Sequence, residues 1–150
     1  MSQGDYYILS ADRSVIPVRS IRRWAAWFES SGTQRIVARD RCGEYEISTI
    51  FLGLNHSFSE SSTPVLWETM VFRGQVWVEL AGRSKDLPRE IDKTRCSGTW
   101  EHAEAMHQSV RERVEALIAL DVEPTHDQRR VIPIDELTDT GTGNERLIQP

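Results

Sequence analysis

The sequence predicts an α+β domain: a mainly antiparallel sheet of five to six strands with two helices packed on it, plus an irregular C-terminal tail. Three observations predict it. Short apolar runs bounded by Gly, Ser, Asp or Pro recur between residues 6 and 96. Two stretches, 21–28 and 100–117, instead repeat apolar residues at helical spacing. Residues 121–150 lose both periods. At 150 residues the chain has room for one core, and the expected division is a single domain over 1–120 and an acidic tail over 121–150.

Tyr6-Tyr7-Ile8-Leu9 and Val15-Ile16-Pro17-Val18 read as two short strands around the polar turn Ser10 to Ser14. Ser20 can cap a helix whose Ile21, Trp24, Ala25 and Phe28 share a face and which ends by Ser30-Ser31-Gly32. Gln34 to Asp40 and Glu44 to Asn55 follow as a hairpin, with Gly43 where a positive φ is needed. Val65 to Phe72 is a continuous apolar strand, and Arg73-Gly74-Gln75 turns it into a further strand at Val76 to Leu80. Residues 81–90 read as a loop, with a short edge strand from Asp92 to Cys96. Thr99 then caps a second helix whose Trp100, Ala103, His107, Val110, Val114 and Leu117 form a stripe wide enough to pack on a sheet.

The composition is 39% hydrophobic and 27% charged, which suits a folded domain. No apolar run approaches the roughly 18 residues of a membrane helix, and Met1-Ser2-Gln3-Gly4-Asp5 lacks a signal-peptide pattern. A cytoplasmic protein without a membrane partner is expected. The net charge of -5 argues against a duplex-DNA binder, whose phosphate contacts need a basic surface. Cys42 and Cys96 are too few for a disulfide framework and have no metal-type spacing. The basic residues are sixteen Arg against two Lys, a bias consistent with GC-rich coding. Residues 121–150 carry seven acids against three Arg, hence -4 of the net charge, and one apolar cluster, Val131-Ile132-Pro133-Ile134. That cluster can lie along the core as a short edge strand or serve as a docking arm; as a loosely held terminus, the tail would add little to core stability.

Glu68 is the most unusual local feature, because period two places it on one strand face with Leu66, Met70 and Phe72. Burying a carboxylate costs free energy unless it is compensated. A hairpin through residues 57–64 would bring His56 near Glu68, and His107 lies in the apolar seam of the second helix. The trio His56, Glu68 and His107 is therefore the candidate polar cluster. It can be a metal set or a Glu-oriented general base, or a buried hydrogen-bonded network in which Glu68 bonds His56, His107 or a Trp indole. The three are 12 and 39 positions apart, which fits no metal template, so no metal, no cofactor and no catalytic residue is assigned. His102 and His126 are expected on wet surfaces. Nucleotide-binding Gly-rich loops and the Gly-x-Ser-x-Gly elbow do not occur. Ser57 and Ser59 lie in a hydroxyl-rich loop that can hold a phosphate or be a plain polar hairpin loop. Arg22 and Arg23 beside Trp27 can contact a ligand or a partner, or form the solvated face of the first helix.

Ser48-Thr49-Ile50-Phe51-Leu52-Gly53-Leu54-Asn55-His56 and Leu66-Trp67-Glu68-Thr69-Met70-Val71-Phe72 resemble a family of small uncharacterised proteins associated with bacteriophages and prophages. Trp24 to Glu29 and Thr99 to Ala105 with His107 resemble that family's first and last helices, so the likeness spans roughly residues 5–115. Asn55, the Ser59 to Thr63 loop and Met106 depart from the family pattern. The resemblance implies a phage-type origin and brings no activity with it. The expected function is non-catalytic binding of a host protein or small molecule, in host takeover or counter-defence, with homo-oligomerisation left open; the alternative is a small hydrolase or metal-dependent enzyme using the His/Glu cluster.

Overall fold

The computed structural model describes residues 5–57, 63–74, 89–122, 124 and 130–138. In chain order these form β1 (Tyr6–Leu9), β2 (Val15–Val18), α1 (Ile21–Ser31), a 3-10 turn (Gly32–Arg35), β3 (Ile36–Cys42), β4 (Tyr45–Phe51), β5 (Val65–Arg73), β6 (Arg89–Ser97), α2 (Trp100–Ala119), β7 (Arg130–Val131) and α3 (Ile134–Thr138). The α+β architecture is as the sequence predicts. The expected strand at Val76 to Leu80 lies outside the described residues, as do Ser59 and His126.

β1 and β2 form a two-stranded antiparallel sheet, and the larger sheet has the order β3-β4-β5-β6-β7. Its first four strands are antiparallel neighbours, while β7 pairs in parallel with β6. β6 corrects the expected edge strand at 92–96. It runs nine residues and has β5 on one side and β7 on the other. Its polar sequence hides a clean alternation, in which Asp92, Thr94 and Cys96 are buried and Ile91, Lys93 and Arg95 are half-buried on the other side.

α2 covers one face of the large sheet. Thr99 accepts from the His102 N–H while His102 Nδ1 accepts from the Thr99 N–H at 2.9 Å, a capping box with His in the usual place of Glu. The helix buries Trp100, Ala103, Met106, His107, Val110 and Val114 against Ile47, Phe51, Trp67 and Val71. α1, capped by Ser20, packs on the small sheet. Trp27 reaches past it to meet Phe51 edge-on at 5.8 Å, and Phe51, Trp67 and Trp100 continue the chain of rings at 4.9 and 5.9 Å.

Gly53 fixes the junction between the sheets. Its carbonyl accepts from the Tyr7 N–H at 2.8 Å and the Trp24 indole N–H at 3.0 Å, and its φ is +73°. A Cβ there would lie 3.0 Å from Trp24 Nε1, so glycine alone fits without displacement.

The segment after residue 120 contributes more than its composition suggests. Ile132 and Leu137 are 5% and 4% exposed and belong to the main core, and α3 packs on α2. The expectation that this segment adds few apolar contacts therefore fails for residues 130–138. Pro133 follows β7 and opens the turn into α3, with the Glu136 N–H bonded to its carbonyl at 3.1 Å, so the apolar cluster is tethered rather than loose.

Candidate functional site

The structure brings His56 towards Glu68 but sends His107 elsewhere. Glu68 lies opposite Arg95 in the β5–β6 register, and Arg95 Nε donates to its Oε2 at 2.7 Å. Glu68 is 6% exposed, as its flanks predict, but its partner among the described residues is Arg95 and not a histidine or an indole. His56 is half-buried at the start of the β4–β5 connection, with its N–H on the Val65 carbonyl. Burial holds the His56 imidazole below its ordinary pKa; the Arg95 cation adds to this and the Glu68 carboxylate opposes it.

His107 is on the buried side of α2, over the sheet face to which alternation along β5 assigns Thr69, with Glu68 on the opposite face. The expected convergence of three residues is thus divided by the sheet. His107 Nδ1 is 2.7 Å from Thr49 Oγ1, Thr49 Oγ1 is 2.6 Å from Thr69 Oγ1, and His107 Nε2 is 2.8 Å from Asp40 Oδ2. An Asp40 carboxylate can only accept, so Nε2 donates to it, and in the neutral ring Nδ1 accepts from Thr49. Arg111 donates to the same Asp40 oxygen at 3.3 Å and to Glu115 at 3.0 Å. These bonds to Glu115 and Asp40 raise the Arg111 pKa.

Asp40, His107 and Thr49 have the order of orienter, base and hydroxyl found in hydrolytic triads. A nucleophile must also meet its substrate. Thr49 and Thr69 are fully buried beneath α2, and His107, which α2 itself supplies, is 4% exposed. The arrangement satisfies buried polar groups beneath a helix. The thiols are also quiet: burial raises the Cys42 pKa, with Glu115 adding to it, and pushes Cys96 up to about 12. Among the described residues no three His, Cys, Asp or Glu side chains gather into a metal-binding group.

The other candidate contacts separate. Arg22 and Arg23 are exposed on α1, but Trp27 turns inward to Phe51 and is half-buried. Ser57 donates its N–H to Asn55 Oδ1 at 2.8 Å, and the same oxygen accepts from Val65 N at 3.1 Å. Asn55 thereby closes the base of the 57–64 loop.

An open feature that sequence reasoning missed is a cavity of about 430 Å³ between the β1–β2 turn, the 3-10 turn and the start of α2. Ser10, Arg13, Thr33, Gln34 and Trp100 line it with three apolar neighbours. Arg13 lays its guanidinium over the Trp100 ring, 4.4 Å from the centroid. The turn that presents Arg13 is locked by Arg13 N to Ser10 O at 3.0 Å, by Ser14 N to Asp12 Oδ1 at 3.0 Å and by a Ser10 hydroxyl bond to Asp12. Those serine bonds hold the Asp12 carboxyl down at about 2. The signal was present in Ser10-Ala11-Asp12-Arg13-Ser14, but nothing local showed that Trp100, 87 positions on, would meet it. His107 is seven residues further along α2, about 10 Å by helical rise, and does not line this cavity.

No family model matches the chain. No curated protein and no solved structure matches it either. No helix among the described residues is long and apolar enough to cross a membrane.

Proposed function

We propose that this chain is a small non-catalytic binding protein of phage type that takes a host protein or a small ligand in the host cytoplasm, in host takeover or counter-defence. The carrying observation is that the hydroxyl and imidazole resembling hydrolytic machinery are buried beneath α2, with the Asp40 carboxylate half-buried at the edge, while the 430 Å³ cavity is open and lined by other residues. This row has the character of a structural network, because each buried oxygen and ring nitrogen in it has a partner within the protein. The phage-type part of the reading rests on the resemblance of the 48–56 and 66–72 strand blocks.

A small hydrolase is the second reading, favoured by the Thr49–His107–Asp40 order of bonds. Intact mass after exposure to a fluorophosphonate separates the two. An unchanged mass is expected for the binding protein. A single stoichiometric adduct that disappears in Thr49→Val would put the hydrolase first.

A further inference from the structure

We propose that the cavity at Arg13 and Trp100 is the binding site of a small organic anion carrying a phosphate or carboxylate group. This rests on the reading of the chain as a non-catalytic binding protein and names the ligand class of its open site.

Charge is the first argument. The chain has 23 acids against 18 basic side chains, yet the lining of this cavity includes a cation and no acid. Arg13 is in no ion pair among the described residues, in contrast to Arg41, Arg73, Arg95, Arg111 and Arg113, each of which meets a carboxylate. A guanidinium with no ion pair among the described residues, set in a concave wall, attracts an oxyanion.

Geometry is the second. The Trp100 ring supports the guanidinium from one side, its centroid 4.4 Å from Cζ, so an oxyanion would meet the guanidinium N–H groups from the cavity. The Ser10 hydroxyl proton is committed to Asp12, but Thr33 and Gln34 place a hydroxyl and an amide around the same space, so an anion held by Arg13 would have further donors within the cavity. The volume of 430 Å³ lies in the range of small-molecule sites, roughly 300–1,000 Å³.

The third argument is the position of Arg13 itself. Its φ is +69°, a conformation that L residues other than Asn and Asp rarely adopt, and the serine and aspartate bonds of the turn enforce it. The turn fixes where the Arg13 side chain leaves the backbone and Trp100 supports its guanidinium, which together reduce the ordering cost of binding. Arg13 covers one face of Trp100, and Trp67 abuts the ring edge-on at 5.9 Å. Recognition accordingly falls on the oxyanion rather than on ring stacking.

The test is a nitrogen-15 NMR titration of the full chain with inorganic phosphate and, separately, with succinate, against sodium chloride at matched ionic strength. Saturable shifts of the Trp100 indole and Gln34 side-chain amide signals are expected with at least one anion and not with chloride, and which anion saturates identifies the source of the oxyanion. Arg13→Gln should keep the dispersed amide spectrum and bind at least about tenfold more weakly, with Gln34→Ala as a second, milder variant. Absence of saturation by both anions in the folded wild type, or equal binding by Arg13→Gln, would overturn the assignment. In that case a small ligand retained elsewhere on host-purified chain in native mass spectrometry leaves the binding-protein reading standing. A fluorophosphonate adduct at Thr49 removes that reading whatever the anions do.

Discussion

Glu68 illustrates how a single carboxylate is accommodated in an apolar strand. Arg95, directly across the β5–β6 pair, supplies a charge-assisted hydrogen bond at 2.7 Å and keeps its own side chain 22% exposed. Removing either partner has unequal consequences. Arg95→Ala leaves a nearly buried carboxylate alone, whereas Glu68→Ala leaves a guanidinium that can still reach water. We expect Arg95→Ala to cost about 2–4 kcal/mol and Glu68→Ala about 1–2 kcal/mol in urea denaturation; equal costs would contradict this account. Under α2, Thr49→Val keeps the volume but deprives His107 Nδ1 and the Thr69 hydroxyl of their shared partner. A loss of about 1–3 kcal/mol is expected from the same measurement, and a neutral result would mean that the hydroxyl is not integral to the network.

The elements are joined by a few contacts that single substitutions can probe. Gly53→Ala forces a Cβ against Trp24 Nε1 at a positive φ, so it should destabilise by more than about 1 kcal/mol and loosen β1 and α1 from the end of β4. At the other end, Ile132→Ala and Leu137→Ala each remove a core side chain supplied by residues 130–138. Each should cost about 2–4 kcal/mol and lower the melting temperature by several degrees in calorimetry; an unchanged melting temperature would return this segment to the status of a loose terminus. Much of this layer was legible in the sequence. Apolar periodicity located β1, β2, α1, β4, β5 and α2, and Gly43 marked its turn with a φ of +58°. The candidate site was legible in part: the burial of Glu68 and the inward position of His107 follow from period and flanks. Their partners do not. Asp40 reads only as the end of a strand and is in fact inside β3, and β6 reads as a shorter edge strand because its inward positions are Asp92, Thr94 and Cys96. Asp92 is tolerated there because Arg113 of α2 comes down to pair with it, and no local pattern announces a contact 21 residues away.

Across the whole molecule, buried titratable groups set the pH range of stability. The folded His56 pKa lies below its ordinary 6.5, so the unfolded chain binds the proton first and stability falls as pH drops below that value. Cys96 is pushed from 9.0 to about 12, so the unfolded chain loses its proton first and stability falls as pH rises between those values. Urea midpoints measured from about pH 5 to about pH 10.5 should therefore form a plateau between the two ordinary values. His56→Gln should flatten the acid side and Cys96→Val reduce the alkaline slope; unchanged slopes would assign the dependence to other groups. The centre of the sheet adds a different kind of control. Thr49, Thr69 and Thr94 stand in line across β4, β5 and β6, and Thr49 and Thr69 touch through their hydroxyls. A hydroxyl contributes little burial energy, but it recognises its neighbour only in one alignment. A one-residue slip of β5 would turn Thr69 to the far face, bring Glu68 or Met70 beneath α2 and leave Thr49 without its neighbour. The Thr49–Thr69 pair therefore works as an alignment key, making the correct β4–β5 register the arrangement in which these two hydroxyls meet each other and His107.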